Sequence, residues 1–397
     1  MAQISSRLSQ RALAADKSFA AVADFYFNSR YGKQRGDGGI ADFTFGNPHE
    51  TPLRGLVTAL TRAAEPKDKN WYAYKSSEPE PQAFLAERLS LELGLPFEPE
   101  DFALTAGAFA AISLAFRVLL DAGDEAIYCE PAWFCYEPML HLADAVPVKV
   151  DLKADSFDLD IAAIEAAVTP RTRLVIINSP HNPTGRIYSA ELLKDLAEML
   201  ERQSLRINRR IYLLSDEPYR RLRFDNAPFV SAAQLYPWTL IDYSYGKVLL
   251  APGQRLGYLA ISPLMPTAER HQLRAVMFTS QMALGWCFPN AIMQHAIRDL
   301  EDLSIDLAAL HKRRNALVQE LQGSGCQVTN PEGTFYLWGR WPGDPERLWN
   351  GLADKNVFVM PGAILGAPDC FRISLTASDA MVEKALPVFH EVLRSMV

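Results

Sequence analysis

Between residues 100 and 265, short apolar runs alternate with stretches of helical periodicity, and this alternation constrains the fold more than any other feature of the chain. The runs at 126–129, 146–150, 174–177, 211–214, 240–242 and 258–261 are apolar at nearly every position, as in strands buried on both faces. Between them, Ser189 precedes Leu192, Leu193, Leu196 and Leu200, the pattern of a capped amphipathic helix. Ile161, Ile164 and Val168 give a second, shorter stripe. Residues 109–120 are apolar almost all round, which predicts a buried helix, and Gly123 is placed to end it. Strand–helix alternation of this kind predicts an α/β fold whose large domain has a mainly parallel sheet sandwiched by helices. Ligands gather at the carboxyl ends of such strands.

After about residue 275 the pattern changes to long helices, at 302–322 and 379–397, and short strands, at 334–338 and 371–375. These predict a smaller α+β domain. Residues 1–40 form a polar arm with helical pieces, ending in the loop Gly32-Lys33-Gln34-Arg35-Gly36-Asp37-Gly38-Gly39. The expected division is 1–45 for the arm and part of the small domain, 46–275 for the large domain, and 276–397 for the C-terminal small domain.

Charge narrows the possible partners. Lys and Arg number 40 against 47 Asp and Glu, a net −7, so the chain has no general attraction for nucleic acid or anionic lipid. No apolar run approaches the ~20 residues of a membrane helix, and the polar N-terminus lacks a signal-peptide core. A soluble cytoplasmic enzyme without nucleic-acid or membrane partners is expected. The five cysteines, Cys129, Cys135, Cys287, Cys326 and Cys370, are odd in number and irregularly spaced, with no CxxC. That argues against a disulfide framework or a bound metal, and for small buried apolar residues.

Three expected strand ends present polar residues. In Ile177-Asn178-Ser179-Pro180-His181-Asn182-Pro183-Thr184-Gly185, two Xaa-Pro steps and a glycine make a rigid turn that directs Asn182. In Leu214-Ser215-Asp216-Glu217-Pro218-Tyr219, Asp216 falls at the sheet edge, where a carboxylate needs a cation or a donor. In Ser244-Tyr245-Gly246-Lys247, the lysine lies between small polar residues and the apolar stretch 248–251, with Arg255 following across a Pro-Gly turn. A lysine so placed is a usable amine nucleophile. Taken singly, a turn asparagine, a loop aspartate and a lysine are ordinary structural residues. Their weight comes from occurring together and in this order.

That order, HNPTG, then SDEPY, then S-x-G-K followed after seven residues by R-x-G, resembles the fold-type-I pyridoxal-phosphate aminotransferases of class I/II. The resemblance extends from Gly46 to Arg372 and implies pyridoxal 5'-phosphate as cofactor. By the same resemblance, Lys247 matches the lysine that forms the imine with the cofactor and shuttles the proton, and Asp216 the carboxylate paired with the pyridinium nitrogen. Asn182 and Tyr219 match the donors to the ring oxygen. Ser244 and Arg255 match the phosphate ligands, as do the backbone amides of Gly107, Ala108 and Phe109 at a helix start. Trp133 matches the aromatic stacked on the ring. Arg372 matches the clamp on the substrate carboxylate, and Gly46 a glycine whose backbone approaches it.

Two departures stand out: Gly246 occupies the position before the lysine where the family often has serine, and the segment after Tyr72 and Tyr74 lacks the usual Gly and Arg. Tyr74 is the better match for the tyrosine reaching the partner subunit's phosphate, with Tyr72 the other. The resemblance implies a homodimer with active sites at the interface. It also implies transfer of an amino group between an L-amino acid and a 2-oxo acid by a ping-pong route. Elimination, decarboxylation or an oxygen-consuming deamination on the same scaffold would use the same residues. A binding module without activity is the other alternative, and the intact Lys247 argues against it. The pathway and the donor amino acid are not readable, although the absence of arginine between 275 and 297 disfavours a dicarboxylate reader from that stretch.

Overall fold

The computed structural model describes residues 8–285 and 288–396. Twelve strands occur among them: β1 (Ala41–Phe43), β2 (Phe102–Thr105), β3 (Glu125–Glu130), β4 (Val146–Asp151), β5 (Thr172–Asn178), β6 (Tyr212–Asp216), β7 (Thr239–Ser244), β8 (Gly257–Ile261), β9 (Gln327–Val328), β10 (Tyr336–Arg340), β11 (Val357–Pro361) and β12 (Cys370–Ser374). β2 to β8 form a seven-stranded sheet in the order β2-β8-β7-β6-β5-β3-β4. Only β8 runs against its neighbours.

Helices cover both faces, as the apolar strands require. Helices Ala108–Leu119 and Thr267–Ala283 bury Ile112, Phe116, Leu273 and Met277 on one side. Helices Ile161–Ala167 and Ala190–Arg206 bury Ile164, Leu193, Leu196 and Leu200 on the other. Each such side chain contributes roughly 1.5–3 kcal/mol by leaving water. Ser189 caps its helix by accepting the Leu192 amide at 3.2 Å. The remaining strands form a second sheet, ordered β1-β11-β12-β10-β9. Its strand β1 comes from the N-terminal arm and pairs in parallel with β11.

Several boundaries differ from the sequence expectation. Helix Ala108–Leu119 ends at Leu120, not at Gly123, whose φ of +82° serves the turn into β3. Phe109 on that helix is 49% exposed, because it faces a cavity rather than the core. The helix expected from 302 starts at Leu307: helix Ala291–Glu301 ends just before, and Asp306 caps the next by accepting the Ala308 and Ala309 amides. The strand expected at 334–338 lies at 336–340, since Thr334 has φ +69° and belongs to a turn. Strand β2 was not apparent, being only four residues long. Cys129, Cys135, Cys326 and Cys370 are buried, and Cys287 lies outside the described residues.

Candidate active site

Parallel strands in register bring distant residues to one edge. Asn178 at the end of β5 sits beside Asp216 at the end of β6, and Asp216 beside Asp242 on β7. Asn178 ties the edge together. Its amide nitrogen donates to the Asp216 carbonyl at 2.8 Å, and its side-chain oxygen accepts the Asn182 amide at 2.6 Å. β7 then turns into the one-turn helix Tyr245–Val248, which presents Lys247.

The result is one cavity. Lys247, Asp216, Asn182 and Tyr219 line it together with Ser244, Arg255 and Trp133. Ala108 and Phe109 reach it from the start of their helix. The Lys247 Nζ lies 5.5 Å from the Tyr219 ring centroid and 5.9 Å from that of Phe335. Trp133 is held edge-on by Phe109 at 4.5 Å and by Tyr136 at 5.3 Å.

Asp216 is buried at the floor. The Tyr136 hydroxyl donates to its Oδ2, and its Oδ1 has no partner. Burial raises its proton affinity, while Tyr136, Asp242 and the Lys247 charge act in the opposite direction. Burial likewise holds the Tyr219 phenol in its neutral form.

The opposite end is built for an anion. Gly107 caps helix Ala108–Leu119 with φ +81°, and a Cβ there would lie 2.7 Å from Arg255 Nη2. Arg255 is braced by donation from Nη1 to the Pro252 carbonyl at 2.7 Å. The Gly107 amide, expected to face the anion, instead donates to the Thr105 carbonyl at 2.8 Å, because the turn folds back on itself. Ala108 and Phe109 supply the first amides of the helix itself.

Arg372, in the middle of β12 on the smaller sheet, meets the site through Asn182 and is 1% exposed. Its Nη1 donates to Asn182 Oδ1 and its Nη2 to the Thr44 carbonyl, each at 2.9 Å, while Nε has no partner. Both acceptors are neutral, and the guanidinium stacks over the Tyr336 ring at 4.0 Å. Burial lowers its proton affinity, and Tyr336 and Tyr219 offset this. Gly46 lies two residues beyond Thr44. A Cβ on it would come within 2.5 Å of the Phe335 ring and 2.7 Å of the Tyr336 hydroxyl, so only glycine lets the chain pass there.

Tyr74 is not brought to this cavity. Its side chain is fully exposed beside an outer groove bordered by Tyr72, Phe288 and Ile292. The Tyr72 hydroxyl donates to the Ala64 carbonyl. Asn178, Tyr136 and Asp242 also shape the site, although the motifs do not single them out. For Asp242 a signal exists, since an acid closing the apolar run 240–242 has no ordinary place. Tyr136 gave none, because it meets Asp216 from 80 residues away.

A lysine and a buried carboxylate at the carboxyl edge of a parallel sheet fit an enzyme of amino-group chemistry. The model of the family "Aminotransferase class I and II" matches residues 39–389, and the chain belongs to that family. It is an aminotransferase. The aspartate/prephenate aminotransferase of Thermus thermophilus is 31% identical over 361 residues, covering 89% of this chain and 91% of that protein. A probable aspartate/prephenate aminotransferase of Aquifex aeolicus is 29% identical, covering 90% and 92%. An aminotransferase structure from Eubacterium rectale superposes with a TM-score of 0.86 at 28% identity, over 98% of this chain and 96% of that one. The Thermus thermophilus aspartate aminotransferase with maleate gives 0.80 at 27%, over 98% and 100%. Class I and II aminotransferases use pyridoxal phosphate.

Proposed function

We propose that this aminotransferase binds pyridoxal 5'-phosphate in the Lys247 cavity and uses it to move an amino group from an L-amino acid to a 2-oxo acid. The observation that carries the reading is the pairing, in one cavity, of the Lys247 amine with a buried carboxylate, Asp216, whose Oδ1 is unpartnered. The remaining residues suit the cofactor. Arg255, Ser244 and the helix start at Ala108 and Phe109 match its phosphate, and Trp133 matches the face of its ring. Asn182 and Tyr219 match the ring oxygen. Bound there, the cofactor supplies an aldehyde to accept the amino group and a ring to spread negative charge.

The chain's own residues do the rest. Arg372 has a free Nε and only neutral acceptors, so its charge awaits an anion, and the substrate α-carboxylate provides one. Held there, the substrate presents its Cα proton to Lys247, whose Nζ takes it. Asp216 holds the ring-nitrogen proton in place. Asn182 links the two regions by accepting from Arg372 through Oδ1, which leaves its amide nitrogen to donate.

We also propose a homodimer in the cytoplasm, with Tyr74 of one subunit reaching the partner's phosphate. Full exposure of Tyr74 outside its own cavity supports this. The large and small domains would be 46–275 and 276–397, with 1–45 serving the arm and small sheet. Aspartate heads the donors to try, since relatives are named for it. The test is a donor and acceptor panel with nitrogen-labelled amino acids. Label arriving in a new amino acid supports the reading. Ammonia or peroxide released without any acceptor would instead favour elimination or oxidation.

A further inference from the structure

Asp242 and Asp216 lie side by side on adjacent parallel strands, in register, near the centre of the seven-stranded sheet. Their side chains therefore issue from the same face. Asp242 is completely buried, and neither of its oxygens meets a donor. The charged groups acting on it, Asp216 and Glu217, are both acids. Asp216 is better served: Tyr136 donates to its Oδ2, and the Lys247 charge acts on it from the cavity. Tyr219, also facing Asp216, is a neutral phenol.

Two carboxylates so placed cannot both be ionised, since their repulsion in a buried site is far larger than any gain. An ionised Asp242 would have neither donor nor cation, whereas an ionised Asp216 has both. The pair's single proton belongs on Asp242.

We propose that Asp242 works as a neutral carboxylic acid that donates a hydrogen bond to Asp216, keeping Asp216 ionised where it faces the cofactor ring. Its importance for catalysis rests on the reading of Asp216 as the ring's partner. Asp242 is not among the residues lining the cavity and is a positioning residue. Its proton lowers the basicity of Asp216, so Asp216 stays ionised. Together with Tyr136 it also fixes which way the carboxylate turns.

Infrared spectroscopy of the purified protein, with and without cofactor, tests this. At about pH 8, where ordinary carboxyls are ionised, a protonated-carboxyl band is expected. It should shift in heavy water, vanish in Asp242→Asn, and survive in Glu217→Gln and Tyr136→Phe. Glu217 is the needed control because burial pushes it up to about 7. Asp242→Asn keeps a donor and should retain most of the activity, whereas Asp242→Val has none. The valine variant should lose about tenfold to a hundredfold in kcat/KM, the worth of a hydrogen bond to a charge. The acid limb of its pH profile should also move upward, and Asp242→Asn should restore it. Absence of the band from the wild type, or its persistence in Asp242→Asn, overturns the proposal. If the valine variant fails to fold, the asparagine spectrum still decides. The cofactor-free spectrum locates the proton without using Asp216's role, so failure of the cofactor reading remains separable.

Discussion

Arg372, on the smaller sheet, donates from Nη1 to Asn182 Oδ1, on a loop of the larger sheet, at 2.9 Å. This bond spans the two sheets at the cavity, between the residue assigned to the substrate carboxylate and a residue assigned to the cofactor ring. On the proposed assignment, placing one also places the other, which would keep the reacting Cα in line with the Lys247 amine.

Arg372→Lys should show how much of this depends on the fork of the guanidinium. A lysine cannot keep both 2.9 Å bonds and also pair with a carboxylate in two places. Steady-state kinetics should give a kcat/KM lower by about a hundredfold, mainly through KM. Cofactor attachment at Lys247 should be retained.

Tyr136→Phe removes the hydroxyl that donates to Asp216 Oδ2 and leaves that oxygen buried without it. Ionisation of Asp216 then becomes harder. Cofactor Kd, measured by titrating the cofactor-free protein, should rise by about tenfold.

Much of this site was readable before folding was considered, because Asn182, Asp216, Lys247 and Arg255 each follow an apolar run at a turn. Strand ends in a parallel sheet share one edge, and the order of the three motifs, which carries the family resemblance, singles out these residues among the many that lie there. Other features depend on contacts that no local pattern encodes. Tyr136 reaches Asp216 across the fold, and strand β1 joins a sheet formed otherwise from the last third of the chain. A helix start looks open in sequence, whereas here the preceding turn engages the Gly107 amide with the Thr105 carbonyl.

Gly107→Ala should weaken cofactor binding with little effect elsewhere. The added Cβ would meet Arg255 Nη2 at 2.7 Å, and φ of +81° already disfavours it. With ψ at 178° this backbone region is open essentially to glycine, and the strain alone costs about 1–3 kcal/mol. Cofactor titration should show a Kd raised about tenfold or more if Arg255 must move. Unfolding of the cofactor-free protein should change by no more than the strain.

Stability should fall as pH rises through the Glu217 titration. Burial pushes this carboxyl from 4.5 up to about 7, despite Arg220 and the Ser215 and Ser231 hydroxyls. The folded protein thus holds the proton more tightly than the unfolded chain. Its contribution is complete below 4.5, declines as pH rises through this window, and is lost above 7. The change is about 3 kcal/mol at most. Urea unfolding of Glu217→Gln across this range should show a shallower decline than the wild type.

Borohydride reduction of the cofactor-loaded protein, followed by peptide mapping, tests the assignment on which all of this stands. A single reduced pyridoxyl group on Lys247 is expected, and none on Lys247→Ala. Label on another lysine, or a loaded wild-type protein that takes up no label, would contradict the assignment of Lys247.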